Sequence, residues 1–373
     1  VARHEAMSAF DRSRPLWEFT LIENLEGGRA ALVLKIHHSL TDGVGGMELA
    51  LRLFDRERGT SPDANLPEPP SPERLDSSAL LRDALLRNGR RLSDAVTGGI
   101  GLVVPSAAHS ITHPFATIGN VLETVRSIGR TVAPVRQTLS PIMTRRGLGR
   151  RVDMVEVRLS DLKRAAAFGG GTVNDAFMAA ATGALRRYHE RHGAPVASLR
   201  VTLPISIRTP DDPLGGNRIT LMRFVVPVSE LDPARRMAEI HERCRTARHE
   251  RSLAWTDAIA GTLSLLPSGV VGSMLKRVDF LASDVPGMEQ AVYLGDALVE
   301  RFVSFSPTAG SSVNVTLMSY NGLCCIGVNA DTAAVPDAEV FTQCLLDGFE
   351  EVLALAGMHD PARRSWPCTG LAV

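Results

Sequence analysis

The sequence predicts an α/β protein, built as mixed-sheet α+β layers and divided into about two domains. Its 373 residues exceed what one hydrophobic core usually organises. Short alternating apolar runs and helix-periodic segments mix without strict strand-helix-strand order, which argues against a Rossmann or TIM arrangement. Residues 61–73 carry five prolines, which neither a helix interior nor a central strand accepts. The expected division is 1–60 as the remainder of a first domain, 61–151 as a Pro-rich and helical crossover, and 152–373 as a second domain.

The elements follow from local pattern. Residues 31–36 are a β-rich run ending at His37 and His38; the glycine-punctuated 41–46 follows, then a helix at 47–54. An amphipathic helix is expected at 77–94. Residues 95–122 hold no charged side chain, yet Pro105 and Pro114 interrupt them too often for a membrane span, whereas 124–151 hold seven arginines and no acid. That pair reads either as a packed crossover with a basic face or as a lipid or CoA contact. In the second domain a strand near 152–159 precedes a helix at 161–168. Thr172 to Asp175 then offer cap chemistry to a helix with one apolar face. Strands are expected at 200–208, 219–228, 299–305, 312–320 and 323–329, and helices at 233–251 and 337–355.

Composition removes several function classes. The 41 basic and 41 acidic residues cancel, so no global field draws the chain to nucleic acid. Five cysteines without paired spacing fit a reducing cytoplasm. No signal peptide or spanning segment is visible, which suggests a cytoplasmic protein, soluble or peripheral at the inner face of the membrane.

The chemistry concentrates at 37–43, His-His-Ser-Leu-Thr-Asp-Gly. Imidazole titrates near working pH and suits a base that removes a hydroxyl proton. Successive side chains on an extended segment diverge, so one histidine is expected to be catalytic and its neighbour structural. The same divergence disfavours a metal, which needs converging ligands; no metal site is expected. Asp42 can hold an arginine and the loop backbone, fixing the histidine, while Gly43 leaves room for close approach. Ser39 lacks a nucleophile elbow.

His37, His38, Asp42 and Gly43 match the HHxxxDG pattern of CoA-dependent acyltransferases. Pro15-Leu16-Trp17-Glu18, Asn174-Asp175, the run Leu203 to Arg208 with Gly216-Asn217, and Ser319-Tyr320-Asn321-Gly322 leading to Val335-Pro336-Asp337 narrow the resemblance. Together they resemble bacterial wax ester synthase/acyl-CoA:diacylglycerol acyltransferases, from about Asp11 to about Leu355. The resemblance implies two chloramphenicol-acetyltransferase-like domains, with His38 as general base, Asp42 structural and Asn174 donating near the reacting carbonyl. It implies acyl-CoA as co-substrate with no further cofactor, a lipid alcohol as acceptor, and contact with a membrane or lipid-droplet surface. Trp17, Asp175 and Arg208 are candidate substrate-binding residues; Trp17 also reads as core, Arg208 as the partner of Asp42, and Asn174 as a mere helix cap.

Two departures from the pattern stand out. The chain begins at Val1, about a strand-helix-strand short of a complete first domain, and Asp284 in Ser283-Asp284-Val285-Pro286-Gly287 stands where the family pattern has asparagine. They motivate an alternative, a catalytically silent lipid-binding or partner protein. A third reading keeps the enzyme and changes the acceptor.

Overall fold

A computed structural model describes residues 1–59, 76, 78–79, 82–83, 86, 89, 135, 137–208, 218–249 and 277–357. The proline run 61–73, most of the expected helix 77–94, the uncharged 95–122, and Arg126, Arg130 and Arg136 lie outside the described residues. The chain divides into two compact units, one of Val1–Thr60, Val135–Ala247 and Leu275–Val373, the other of Ser61–Pro134 and Arg248–Met274. The elements below form the first unit.

The chain opens with α1 (Ala2–Met7), then an antiparallel hairpin of β1 (Trp17–Leu25) and β2 (Arg29–Ile36), and α2 (Gly43–Ala50). It continues through β3 (Arg150–Arg158), α3 (Leu159–Phe168), α4 (Val173–Arg191), β4 (Ser198–Ser206), β5 (Ile219–Pro227) and α5 (Pro233–Arg248). After β6 (Phe280–Val285), a two-residue pair β7 (Tyr293–Leu294) and β8 (Ala297–Leu298) precedes β9 (Val313–Tyr320), β10 (Leu323–Asp331) and α6 (Ala338–Ala354). Six strands form one sheet in the order β3-β10-β9-β6-β4-β5. The pairs β4/β6 and β6/β9 are parallel and the rest antiparallel, so the sheet is mixed, as the sequence predicts.

Three expectations need correction. The helix after the histidines starts at Gly43 rather than residue 47, because the Asp42 carboxylate accepts the Gly45 N–H and caps it. Residues 299–305 form no strand: the Ser304 carbonyl rests on Gly327, where any Cβ would overlap it, and Asn314 and Asn329 donate to Pro307 O and Ser306 O. The segment is thus fixed to the sheet by side chains rather than by a strand ladder. Helix α4 is buried from Asp175 through Leu185, not on one face, since small alanines let α3 and α6 press against it. Gly348 on α6 marks the tightest approach; a Cβ there would overlap Ala180 O.

Of the two readings of the basic segment, the contacts of Arg146, Arg150 and Arg151 favour the packed one. Arg146 donates to four carbonyls, those of Met143, Arg145, Val278 and Gly310. Arg150 bonds Gly147 O and Gly149 O and lies 3.4 Å from Asp331, and Arg151 pairs with Glu339 at 2.7 Å. Of Arg145, Arg146, Arg150 and Arg151, Arg145 alone is classed as exposed. Arg146, Arg150 and Arg151 thus bond within the fold around the start of β3.

Arg236 is fully buried, in space left by Gly183. It donates to Ala179 O, Glu230 O and Glu351, and Glu351 is also ion-paired with Arg186 and Arg187. One carboxylate therefore serves three guanidinium groups. Glu351→Ala is expected to destabilise the protein by about 3 kcal/mol, because it strands a buried cation among like charges. A urea midpoint unchanged in that variant would show that the network is not needed.

Candidate active site

The β1/β2 register pairs Trp17 with Ile36, the last strand residue before the histidines, and the His37 N–H donates to Leu16 O at 2.9 Å. The hairpin thereby lays Pro15-Leu16-Trp17-Glu18 alongside the histidine pair. Leu40 N–H returns to His37 O at 2.9 Å, closing a tight turn that carries His38, Ser39 and Leu40, all exposed. His37 Nδ1 accepts the Ser39 N–H at 3.2 Å and lies 2.8 Å from Ser39 Oγ, while its ring meets Phe10 edge-on. His37 is thus held by Ser39 and Phe10, and His38 is carried on the exposed turn.

Asp42 is the anchor of this turn. It is 2% exposed, and its Oδ1 accepts the Gly45 N–H at 2.8 Å. Its Oδ2 accepts the Arg218 N–H at 2.8 Å and Arg208 Nη2 at 3.1 Å. Burial alone would raise this carboxyl; the Gly45 and Arg218 N–H groups and the Arg208 guanidinium outweigh it and hold it below the ordinary carboxylate value. The anticipated partnership with Arg208 is present, and with its guanidinium turned onto Asp42 the Arg208 side chain is 7% exposed. Two contributors escaped the sequence reading. Arg218 acts through its backbone N–H, for which side-chain pattern carries no signal. A Cβ on Gly45 would lie 2.6 Å from Thr41 Oγ1 and 2.9 Å from Arg208 Nη2, so this position must stay bare for Arg208 to reach Asp42. A Cβ on Gly43 would lie 3.2 Å from Val285 Cγ2, so Gly43 admits the end of β6.

Asn174 and Asp175 form a second cluster, in the first turn of α4. The cap is Thr172, not Asn174: Thr172 Oγ1 accepts the Asp175 N–H, and Asp175 Oδ2 accepts the Thr172 N–H at 2.8 Å. Asp175 Oδ2 also lies 2.8 Å from His241 Nδ1, so this carboxylate, expected to meet substrate, is occupied within the fold. Asn174 is half-buried, and among the described residues its carboxamide has no hydrogen-bond partner.

Beside α2 lies a cavity of about 410 Å³, with Val44, Met47, Leu51, Met288 and Val292 in its apolar wall and Glu48, Arg56, Glu289 and Gln290 at its polar positions. Burial pushes the thiols of Cys324, Cys325 and Cys344 up, to about 12, 11 and 11, so none is poised as a nucleophilic thiolate. Among the described residues, no group of three or more His, Cys, Asp or Glu could hold a metal ion.

Comparison with known proteins identifies the family of the chain. Residues 5–177 match the wax ester synthase/diacylglycerol acyltransferase catalytic domain, and residues 215–353 match the WS/DGAT C-terminal domain. A Mycobacterium tuberculosis protein named as a diacylglycerol O-acyltransferase is 38% identical over 370 residues, covering 97% of this chain and 74% of the relative. The chain belongs to the wax ester synthase/diacylglycerol acyltransferase family. A second protein of the same name and organism is 28% identical, with 95% and 74% covered. The fold is shared with a wax ester synthase/diacylglycerol acyltransferase from Marinobacter aquaeolei, at a TM-score of 0.59 and 23% identity over 96% of this chain and 76% of that one. It is also shared with the cyclization-docking bidomain of a nonribosomal peptide synthetase from Sorangium cellulosum, at a TM-score of 0.50 and 14% identity over 94% and 64%. In the family chain, His38, Asp42 and Asn174 fall within the catalytic-domain match and Arg218 within the C-terminal match. No helix among the described residues is long and apolar enough to cross a membrane.

Proposed function

We propose that this family member moves a long-chain acyl group from acyl-CoA to the hydroxyl of diacylglycerol or a long-chain alcohol, with His38 as general base. The observation that carries the reading is the fixed histidine turn: a buried Asp42 ties it to Arg208, to the start of β5 and to α2. His38 takes the acceptor proton as the alcohol oxygen attacks the thioester carbonyl carbon. Collapse of the tetrahedral intermediate breaks the C–S bond, and the proton on His38 passes to the departing CoA thiolate. Asn174, with an unengaged carboxamide, donates to the oxyanion. His37 and Asp42 position the base, and Gly43 keeps the approach open.

The reaction passes through a ternary complex without an acyl-enzyme, in keeping with buried, proton-bearing thiols and a Ser39 hydroxyl turned to His37. The apolar wall beside α2 suits an aliphatic chain. Trp17, Phe19 and Leu21, exposed by 49%, 42% and 57% on alternate positions of β1, suit an approach to the lipid surface where such acceptors reside. The test is incubation of the protein with palmitoyl-CoA and either diacylglycerol or hexadecanol. Free CoA appearing with a new ester is the expected result, whereas binding without CoA release would favour a silent lipid-binding protein.

A further inference from the structure

We propose that His241, on α5, is a positioning residue that holds the first turn of α4, and with it the Asn174 carboxamide; the catalytic part of this proposal rests on the acyl-transfer reading above. The need for such a residue begins in the sequence. Gly169-Gly170-Gly171 lead into Thr172, and Gly170 adopts φ +67°, so the approach to α4 carries the least backbone restraint a chain can have. Side chains must therefore fix it.

Helix α5 supplies two of them, Met237 and His241, four residues apart and so on one face. Met237 packs under the glycines: Cβ atoms on Gly169 and Gly171 would lie 2.6 and 3.1 Å from its Sδ. His241 Nδ1 donates to Asp175 Oδ2 at 2.8 Å, the same oxygen that accepts the Thr172 N–H and Thr172 Oγ1, each at 2.8 Å. The reciprocal capping bond, Asp175 N–H to Thr172 Oγ1, is long at 3.3 Å. The turn thus hangs on the carboxylate, and the carboxylate on its donors. The Asp175 side chain is 3% exposed and that of His241 45% exposed, so the imidazole reaches from solvent to a buried acceptor. Removing it frees the turn around Asn174 without opening a cavity in the core.

The experiment compares His241→Leu, which cannot donate, with His241→Asn, whose Nδ2 occupies the place of imidazole Nδ1. In the full chain, amide exchange of residues 172–175 is expected to quicken about fivefold or more in His241→Leu and to return to the wild-type rate in His241→Asn. With palmitoyl-CoA and hexadecanol, kcat is expected to fall about tenfold in His241→Leu with KM for palmitoyl-CoA within about twofold, and to recover in His241→Asn. Unchanged exchange in His241→Leu, unchanged kcat despite faster exchange, or equal failure of both variants would each overturn the proposal. The exchange measurement needs no turnover, so a wild-type protein without acyl transfer would reject the functional reading separately.

Discussion

His38→Ala is expected to lower acyl transfer by about 10²- to 10⁴-fold, the usual cost of losing a positioned general base. The fold should survive. His38 sits exposed on a four-residue turn closed by a backbone bond from Leu40 to His37, so its imidazole fills no core space. The melting temperature should therefore stay close to that of the wild type. His37→Ala should cost less activity and some order in the turn, because it removes the ring that accepts the Ser39 N–H and packs on Phe10. Wild-type turnover by a folded His38→Ala protein would end the assignment of His38 as base. Equal losses from both substitutions would leave the division of labour between them unsupported.

Asp42→Asn is expected to cost about 3 kcal/mol of stability and most of the activity, because it breaks a buried charge pair. The carboxylate accepts on both oxygens: one faces the Gly45 N–H, the other the Arg218 N–H and Arg208. An asparagine has one acceptor oxygen and one NH₂, so whichever way it flips, a donor meets a donor. The pH dependence has a definite sign. The folded-state value of Asp42 lies below the unfolded one of about 3.9, so its stabilisation is fully present above that value and is lost as pH falls through the lowered one. The difference in unfolding free energy between wild type and variant should thus be constant from pH 7 to about pH 5 and shrink below about pH 4. A difference that persists undiminished into acid would show that Asp42 acts by shape rather than by charge.

The motif residues were legible because their chemistry is local. A strand run, two histidines, an acid and clustered glycines within residues 31–46 leave few interpretations, and cap chemistry at 172–175 follows from residue type, though not that Thr172 rather than Asn174 is the cap. What the sequence left open depended on distance along the chain. Arg208 was legible as a candidate partner of Asp42, yet 166 positions separate them and only the β4 end brings them to 3.1 Å. Whether the arginines at 146, 150 and 151 belong to a packed crossover or to a lipid or CoA contact stayed open, because a string of letters does not show which carbonyls and carboxylates lie beneath them.

The sequence by itself determined the mixed α/β class, the turn that carries His38 and the chemistry that an imidazole there can perform, since periodicity and residue type act over a few neighbouring positions. The tertiary structure alone decided that Asp42 is buried among three donors, that Gly45 must stay bare for Arg208, and that Asp175 is tied to His241 rather than open to substrate. Each of those outcomes depends on desolvation and on the approach of groups far apart in the chain. Both are set by packing, which the order of residues specifies only once the whole fold has formed.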